Sequence, residues 1–83
     1  MNELLIVHEK DLQDKETDVI GVASSIENAE SIIKQYYGEF TEISKKDIRD
    51  CTLEYSKVLR VKSFDDSFYE VEITLQWFTL NTV

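Results

Sequence analysis

Phe68-Tyr69-Glu70-Val71-Glu72-Ile73-Thr74-Leu75-Gln76-Trp77-Phe78 sets Tyr69, Val71, Ile73, Leu75 and Trp77 against Glu70, Glu72, Thr74 and Gln76 at two-residue intervals. That period belongs to a strand with one buried and one wet face, because successive side chains of extended backbone point to opposite sides. Upstream, Tyr55, Leu59 and Val61 share a parity that Arg60 and Lys62 do not, so the two segments read as a hairpin. With Asp65-Asp66-Ser67 as its loop, Phe64 faces Phe68, Lys62 faces Glu70 and Arg60 faces Glu72 on the wet side. Val61 then meets Val71, Leu59 meets Ile73 and Tyr55 meets Trp77 inside. One register joins opposite charges on one face and apolar pairs on the other.

Working back toward the N-terminus, Leu4-Leu5-Ile6-Val7 is an apolar run ending in His8-Glu9 and reads as a first strand. Lys10 to Asp18 is mostly charged and reads as an exposed connection. Val19-Ile20-Gly21-Val22-Ala23 reads as the hairpin partner of the first strand, with Gly21 marking a bulge or a close backbone approach. In Ser24-Ser25-Ile26-Glu27, Ser24 can accept from the Glu27 amide while the Glu27 carboxylate reaches back, a capping box. Ile26, Ala29, Ile33 and Tyr36/Tyr37 then recur at helical spacing opposite Glu27, Glu30, Ser31 and Lys34, with Tyr36 expected inward, and Gly38 can close the helix. Ser44 with Asp47 three residues on, and Ile43 with Ile48, predict a short helical turn over Lys45–Asp50. The expected fold is α+β: an antiparallel four-stranded sheet in the order β-β-α-short α-β-β, with one main helix packed on one face. With no proline, repeat or linker, residues 1–83 form a single domain.

Charge and composition exclude several function classes. Seventeen acidic against nine basic residues give a net charge of -8, which disfavours direct binding to nucleic-acid phosphates and to anionic membrane surfaces. The excess sits in the first half: residues 1–43 hold ten acids and three bases (-7), residues 44–83 seven and six (-1). No apolar run approaches the roughly 18 to 20 residues of a membrane span, and the N-terminus lacks the basic start of a secretory signal, so a cytoplasmic location is expected. The single cysteine, Cys51, permits no internal disulfide and fits a reducing compartment.

Chemistry-bearing constellations are scarce. His8 shares its parity with Leu4 and Ile6 and reads as a structural or surface residue; Cys51, with Asp50 and Glu54 near it, reads as a packed thiol. The run Asp11, Asp14, Glu16, Asp18 invites a calcium reading but lacks the central glycine and distal glutamate of an EF-hand loop. With only Gly21 and Gly38, no phosphate-cradling loop exists. No catalytic residue, metal or cofactor is therefore expected, and the chain is read as not an enzyme. Nine aromatics exceed what a small core absorbs, and Phe64, Phe68 and Phe78, on the wet parity, are candidates for an exposed patch. The candidate partner-binding residues are Asp11, Asp14, Glu16 and Asp18 in the connection, with Glu27 and Glu30 on the outer helix face.

The passage Val19-Ile20-Gly21-Val22-Ala23-Ser24-Ser25-Ile26-Glu27-Asn28-Ala29-Glu30, the Tyr36-Tyr37-Gly38 helix end and the Val71–Asn81 close resemble small uncharacterised proteins of Gram-positive bacteria and their phages. Gln76 stands where that group's pattern has Glu. The resemblance implies an α+β fold and a phage or prophage setting, and carries over no functional residue. Together these readings predict a small acidic accessory protein that binds and inhibits or modulates a host protein. A nucleic-acid-binding enzyme such as a CRISPR nuclease is one such target, since an acidic surface complements a basic groove. The alternative is a structural or self-associating protein, for instance a homodimer paired through a free strand edge.

Overall fold

The chain folds as β1 (Asn2–Asp11), β2 (Thr17–Ala23), α1 (Ile26–Tyr37), β3 (Phe40–Asp50), β4 (Leu53–Lys62) and β5 (Phe68–Leu80). This computed structural model describes residues 2–50 and 52–80. Every strand pairing is antiparallel, and the order β2-β1-β5-β4-β3 places the alternating segment Phe68–Phe78 at the centre of the sheet.

The sheet therefore has five strands, not four, and the expected short helix over Lys45–Asp50 is part of β3. Its ladder runs along β4 from Phe40↔Val61 to Asp50↔Leu53. Lysines at 45 and 46 would sit against the positive end of a helix dipole, whereas on an edge strand they discourage pairing with other chains. Residues 41–47 are all exposed, and the register slips between Glu42 and Ser44, leaving Ile43 45% exposed on the outside. Such a strand has no buried face and hence no two-residue period to read. The helix also does not cover a whole face: α1 packs on β2 and β1, at one side of the sheet.

One apolar cluster joins them. Leu5 and Val7 of β1, Ala23 of β2, Ala29 and Ile33 of α1, and Tyr55, Leu59, Val61, Val71, Ile73 and Leu75 of the β4–β5 pair are all buried. Burying each large aliphatic side chain contributes about 1.5–3 kcal/mol before entropy is counted. Ala29, Ile33 and Tyr37 form the inward stripe at four-residue spacing, which leaves Tyr36, expected inside, 58% exposed.

The cap is Ser25, one residue later than the capping box places it: its extended backbone starts the turn and its Oγ accepts the Asn28 amide at 3.1 Å. Ser24 Oγ instead accepts from the Asn28 side chain at 3.0 Å, so both serines serve the same helix start. At the other end Gly38, at φ 75°, donates its N–H to the Lys34 carbonyl at 3.0 Å. Gly21 fulfils both of its expected meanings. Val7 pairs with Gly21 but His8 with Val19, a bulge, and a Cβ at Gly21 would stand 2.7 Å from Ile32 Cγ2.

The β4–β5 hairpin differs from its predicted register by two residues. Lys62 pairs with Phe68, Arg60 with Glu70 and Leu59 with Val71. A slip of two keeps every side chain on its own face, so alternation cannot tell the registers apart; the loop decides. Residues 63–67 close it, with the Ser63 amide donating to the Ser67 carbonyl at 2.9 Å and Asp66 at φ 63°. Asp65 Oδ1 accepts from the Ser63 and Ser67 hydroxyls, each at 2.5 Å, and from the Ser67 amide at 3.2 Å. These bonds, the Ser63 one first, hold the Asp65 carboxyl down at about 2.

Candidate functional site

Antiparallel pairing gathers three connections at one end of the sheet: the β1–β2 turn, the end of α1 running into β3, and the β4–β5 loop. The Leu12 amide donates to the Glu70 carbonyl at 3.3 Å, tying the turn to the start of β5. The Tyr37 hydroxyl donates to the Glu9 carboxylate, tying the helix end to β1. This turn end carries Phe64, fully exposed at the loop, with Phe68 and Tyr36, 61% and 58% exposed.

Three adjoining depressions run round it. One of about 330 Å3 lies between Tyr36, Tyr37, Tyr69 and Phe64, with Glu39 and Lys62 at its rim. A second, of about 620 Å3, is lined by Lys34, Phe40, Arg60 and Phe68 among others. The third, about 370 Å3, joins Leu12 and Gln13 of the turn to Phe68 and Tyr69. Tyr36 and Tyr37 meet edge to face, ring centroids 4.9 Å apart at 80°.

Charges of both signs line the depressions, Glu39 and Glu70 against Lys34, Arg60 and Lys62. Burial, then the hydrogen bond to Glu9 and its charge, push the Tyr37 hydroxyl far above its ordinary range. Burial and the charges of Glu9 and Asp11 push Tyr69 up as well. Both remain neutral hydroxyls, able to donate hydrogen bonds but not to act as bases or nucleophiles near neutral pH.

The six acids singled out in the sequence divide between two places. Asp11 shapes the backbone, for its Oδ1 accepts the amides of Gln13 at 2.8 Å and Asp14 at 3.3 Å, in a turn completed by Lys15 at φ 61°. Asp14 and Glu16 are exposed in that turn, whereas Asp18, also exposed, lies in β2 opposite Glu9: the expected connection over Lys10–Asp18 is shorter, because β1 runs on to Asp11 and β2 starts at Thr17. Glu27 and Glu30 are exposed too, but they stand near the start of α1, beyond the far end of β2. That is about 20 Å away at some 3.3 Å per strand residue. Glu30 Oε1 accepts from the Tyr55 hydroxyl at 3.5 Å, and the burial of Tyr55 with the Glu30 charge raises that hydroxyl. The acids therefore do not make one face.

Phe64, Phe68 and Phe78 are all exposed, as expected, yet Phe78 lies apart from the others, with Leu4, Ile6 and Val22 on the open face of the sheet. Tyr36 and Leu12 join the turn end without having been singled out. The four-residue stripe through Ala29 and Ile33, followed strictly, points to Tyr37 and away from Tyr36. On the open face His8 Nε2 lies 3.0 Å from Gln76 Oε1, and Gln76 Nε2 donates to Thr52 Oγ1 at 3.3 Å. Cys51 lies outside the described residues. Among the described residues no group of three His, Cys, Asp or Glu could hold a metal ion, and no helix is long and apolar enough to cross a membrane. No family model, curated protein or solved structure matches the chain.

Proposed function

We propose that the protein is a non-catalytic binding module: an accessory protein, in the phage or mobile-element setting its resemblance implies, that docks on a host protein through its turn end and modulates it. The observation that carries this reading is that exposed Phe64, Phe68 and Tyr36 lie at the same end of the sheet as exposed Asp14 and Glu16 of the β1–β2 turn and Asp18 at the start of β2. Large exposed aromatics supply apolar anchors of the kind that dominate binding energy. The acids beside them attract a basic partner at long range and speed encounter. The complementary surface is an apolar hollow rimmed by basic residues, which the groove of a nucleic-acid-processing enzyme such as a CRISPR nuclease would present.

Capture from a lysate of Gram-positive bacteria, at low and at physiological salt, tests it with three chains: wild type, Phe64→Ser/Phe68→Ser, and Asp14→Lys/Glu16→Lys/Asp18→Lys. The last changes the charge by +6, two per site over three sites. The reading predicts one protein retained by wild type, lost with the aromatic variant at both salts, and bound more slowly by the charge variant mainly at low salt, where the Debye length exceeds about 8 Å. Equal retention by all three contradicts it.

A second reading, self-association, is favoured by a different feature. Leu4, Ile6, Val22 and Phe78 form an apolar, uncharged strip on the open face of a chain whose net charge is -8. Two copies meeting there bring no like charges together. Light scattering that finds a monomer at high concentration rejects it.

A further inference from the structure

We propose that the depression between the end of α1 and the β4–β5 loop receives an arginine side chain of the protein partner, its guanidinium lying against tyrosine rings and paired with Glu39. This rests on the reading that the turn end meets a protein. At about 330 Å3 the space is at the lower limit of small-molecule sites and has room for one long side chain. Four aromatic side chains line it, Tyr36, Tyr37, Tyr69 and Phe64. Because Tyr36 and Tyr37 stand at 80° to each other, a planar cation stacked on one ring meets the other end-on, the arrangement that suits guanidinium better than a compact ammonium.

The charges agree with a cation. Glu39 stands at the rim, and Glu9 lies behind the Tyr37 hydroxyl that donates to it. One resident cation opposes this. Lys62 lines the depression, its Nζ 4.0 Å from Glu39 and 3.6 Å from Asp66, in exposed pairs of the weak surface kind. An incoming arginine competes with Lys62 for Glu39, so removing Lys62 improves the site.

The test titrates the full chain with acetyl-Gly-Arg-Gly-amide and with the same peptide carrying citrulline, which keeps the shape and removes the charge, following tyrosine ring resonances by NMR. The arginine peptide should move the Tyr36, Tyr37 and Tyr69 rings with weak affinity, and the citrulline peptide should bind about three- to tenfold more weakly. Tyr36→Ala, at an exposed position that the fold does not need, should weaken arginine binding by a similar factor, and Lys62→Met should tighten it. Equal binding of the two peptides, shifts confined to Asp14, Glu16 and Asp18, no effect of Tyr36→Ala, or weaker binding by Lys62→Met would each overturn the proposal. The docking reading is decided separately by capture with the Phe64/Phe68 variant, which uses no peptide, so the two can fail independently.

Discussion

Phe68 and Phe78 sit near opposite ends of β5, on the same face and at similar exposure, 61% and 52%. Their surroundings differ completely. Phe78 lies on the regular ladder, opposite Leu4, in a strip made by strand pairing alone. Phe68 stands where three connections converge, each bringing side chains of another kind: acids from the turn, tyrosines from the helix end, and Phe64 from the serine-held loop. Exposure therefore does not by itself distinguish a binding site from an ordinary sheet surface. What distinguishes the turn end is the concave, aromatic surface of mixed charge that the connections build, and the core has to hold those connections in place.

The largest effect should come from loosening that support. Ile33→Ala removes a buried side chain shared between α1 and the sheet and should cost about 2–4 kcal/mol in chemical denaturation, whereas Lys34→Ala, exposed next to it, should cost almost nothing. Equal losses would mean that α1 does not anchor the turn end. Next, Gly21→Ala forces a Cβ toward Ile32 at 2.7 Å and should cost about 1–3 kcal/mol. A neutral result would show that α1 yields and that its end is not fixed relative to β1.

Smaller effects sharpen the comparison at single residues. Ser25→Ala should lose about 1 kcal/mol and Ser24→Ala less, because Ser25 accepts the backbone amide and Ser24 only a side-chain one. The reverse order in thermal melts would move the helix start. Asp65 should make stability depend on pH. Its folded carboxyl titrates at about 2, below its usual 3.8, so its contribution is complete above 3.8 and is lost as pH falls through that value toward 2. Over that window the melting temperature of wild type should fall toward that of Asp65→Asn. A constant gap between the two would mean that the serine–aspartate loop does not hold Phe64 as described.

How far the sequence disclosed this structure depended on burial. The first hairpin was legible from its apolar runs, Leu4–Val7 and Val19–Ala23, and α1 and the faces of β4 and β5 because Ala29, Ile33, Leu59 and Ile73 imprint a two- or four-residue period. β3 was not, since an edge strand exposed over residues 41–47 imprints none, and its Ser44 and Asp47 imitate a helix cap. The hairpin register was out of reach of alternation, because a slip of two preserves every face and only the Ser63–Asp65–Ser67 hydrogen bonds choose between the alternatives. At the site, the acids of the turn and Phe64 and Phe68 could be read from polarity and parity. That Tyr36 shares their end of the sheet could not, because it depends on where three connections end in space.

The measurement that bears most directly on docking through the turn end is a hydrogen-exchange footprint of the chain bound to the protein it captures. Such docking predicts slowed exchange in residues 12–16, 36–39 and 63–68, with residues 4–6, 22–23 and 76–78 unchanged. Protection of the second set with none in the first would place the interface on the open sheet face and contradict it.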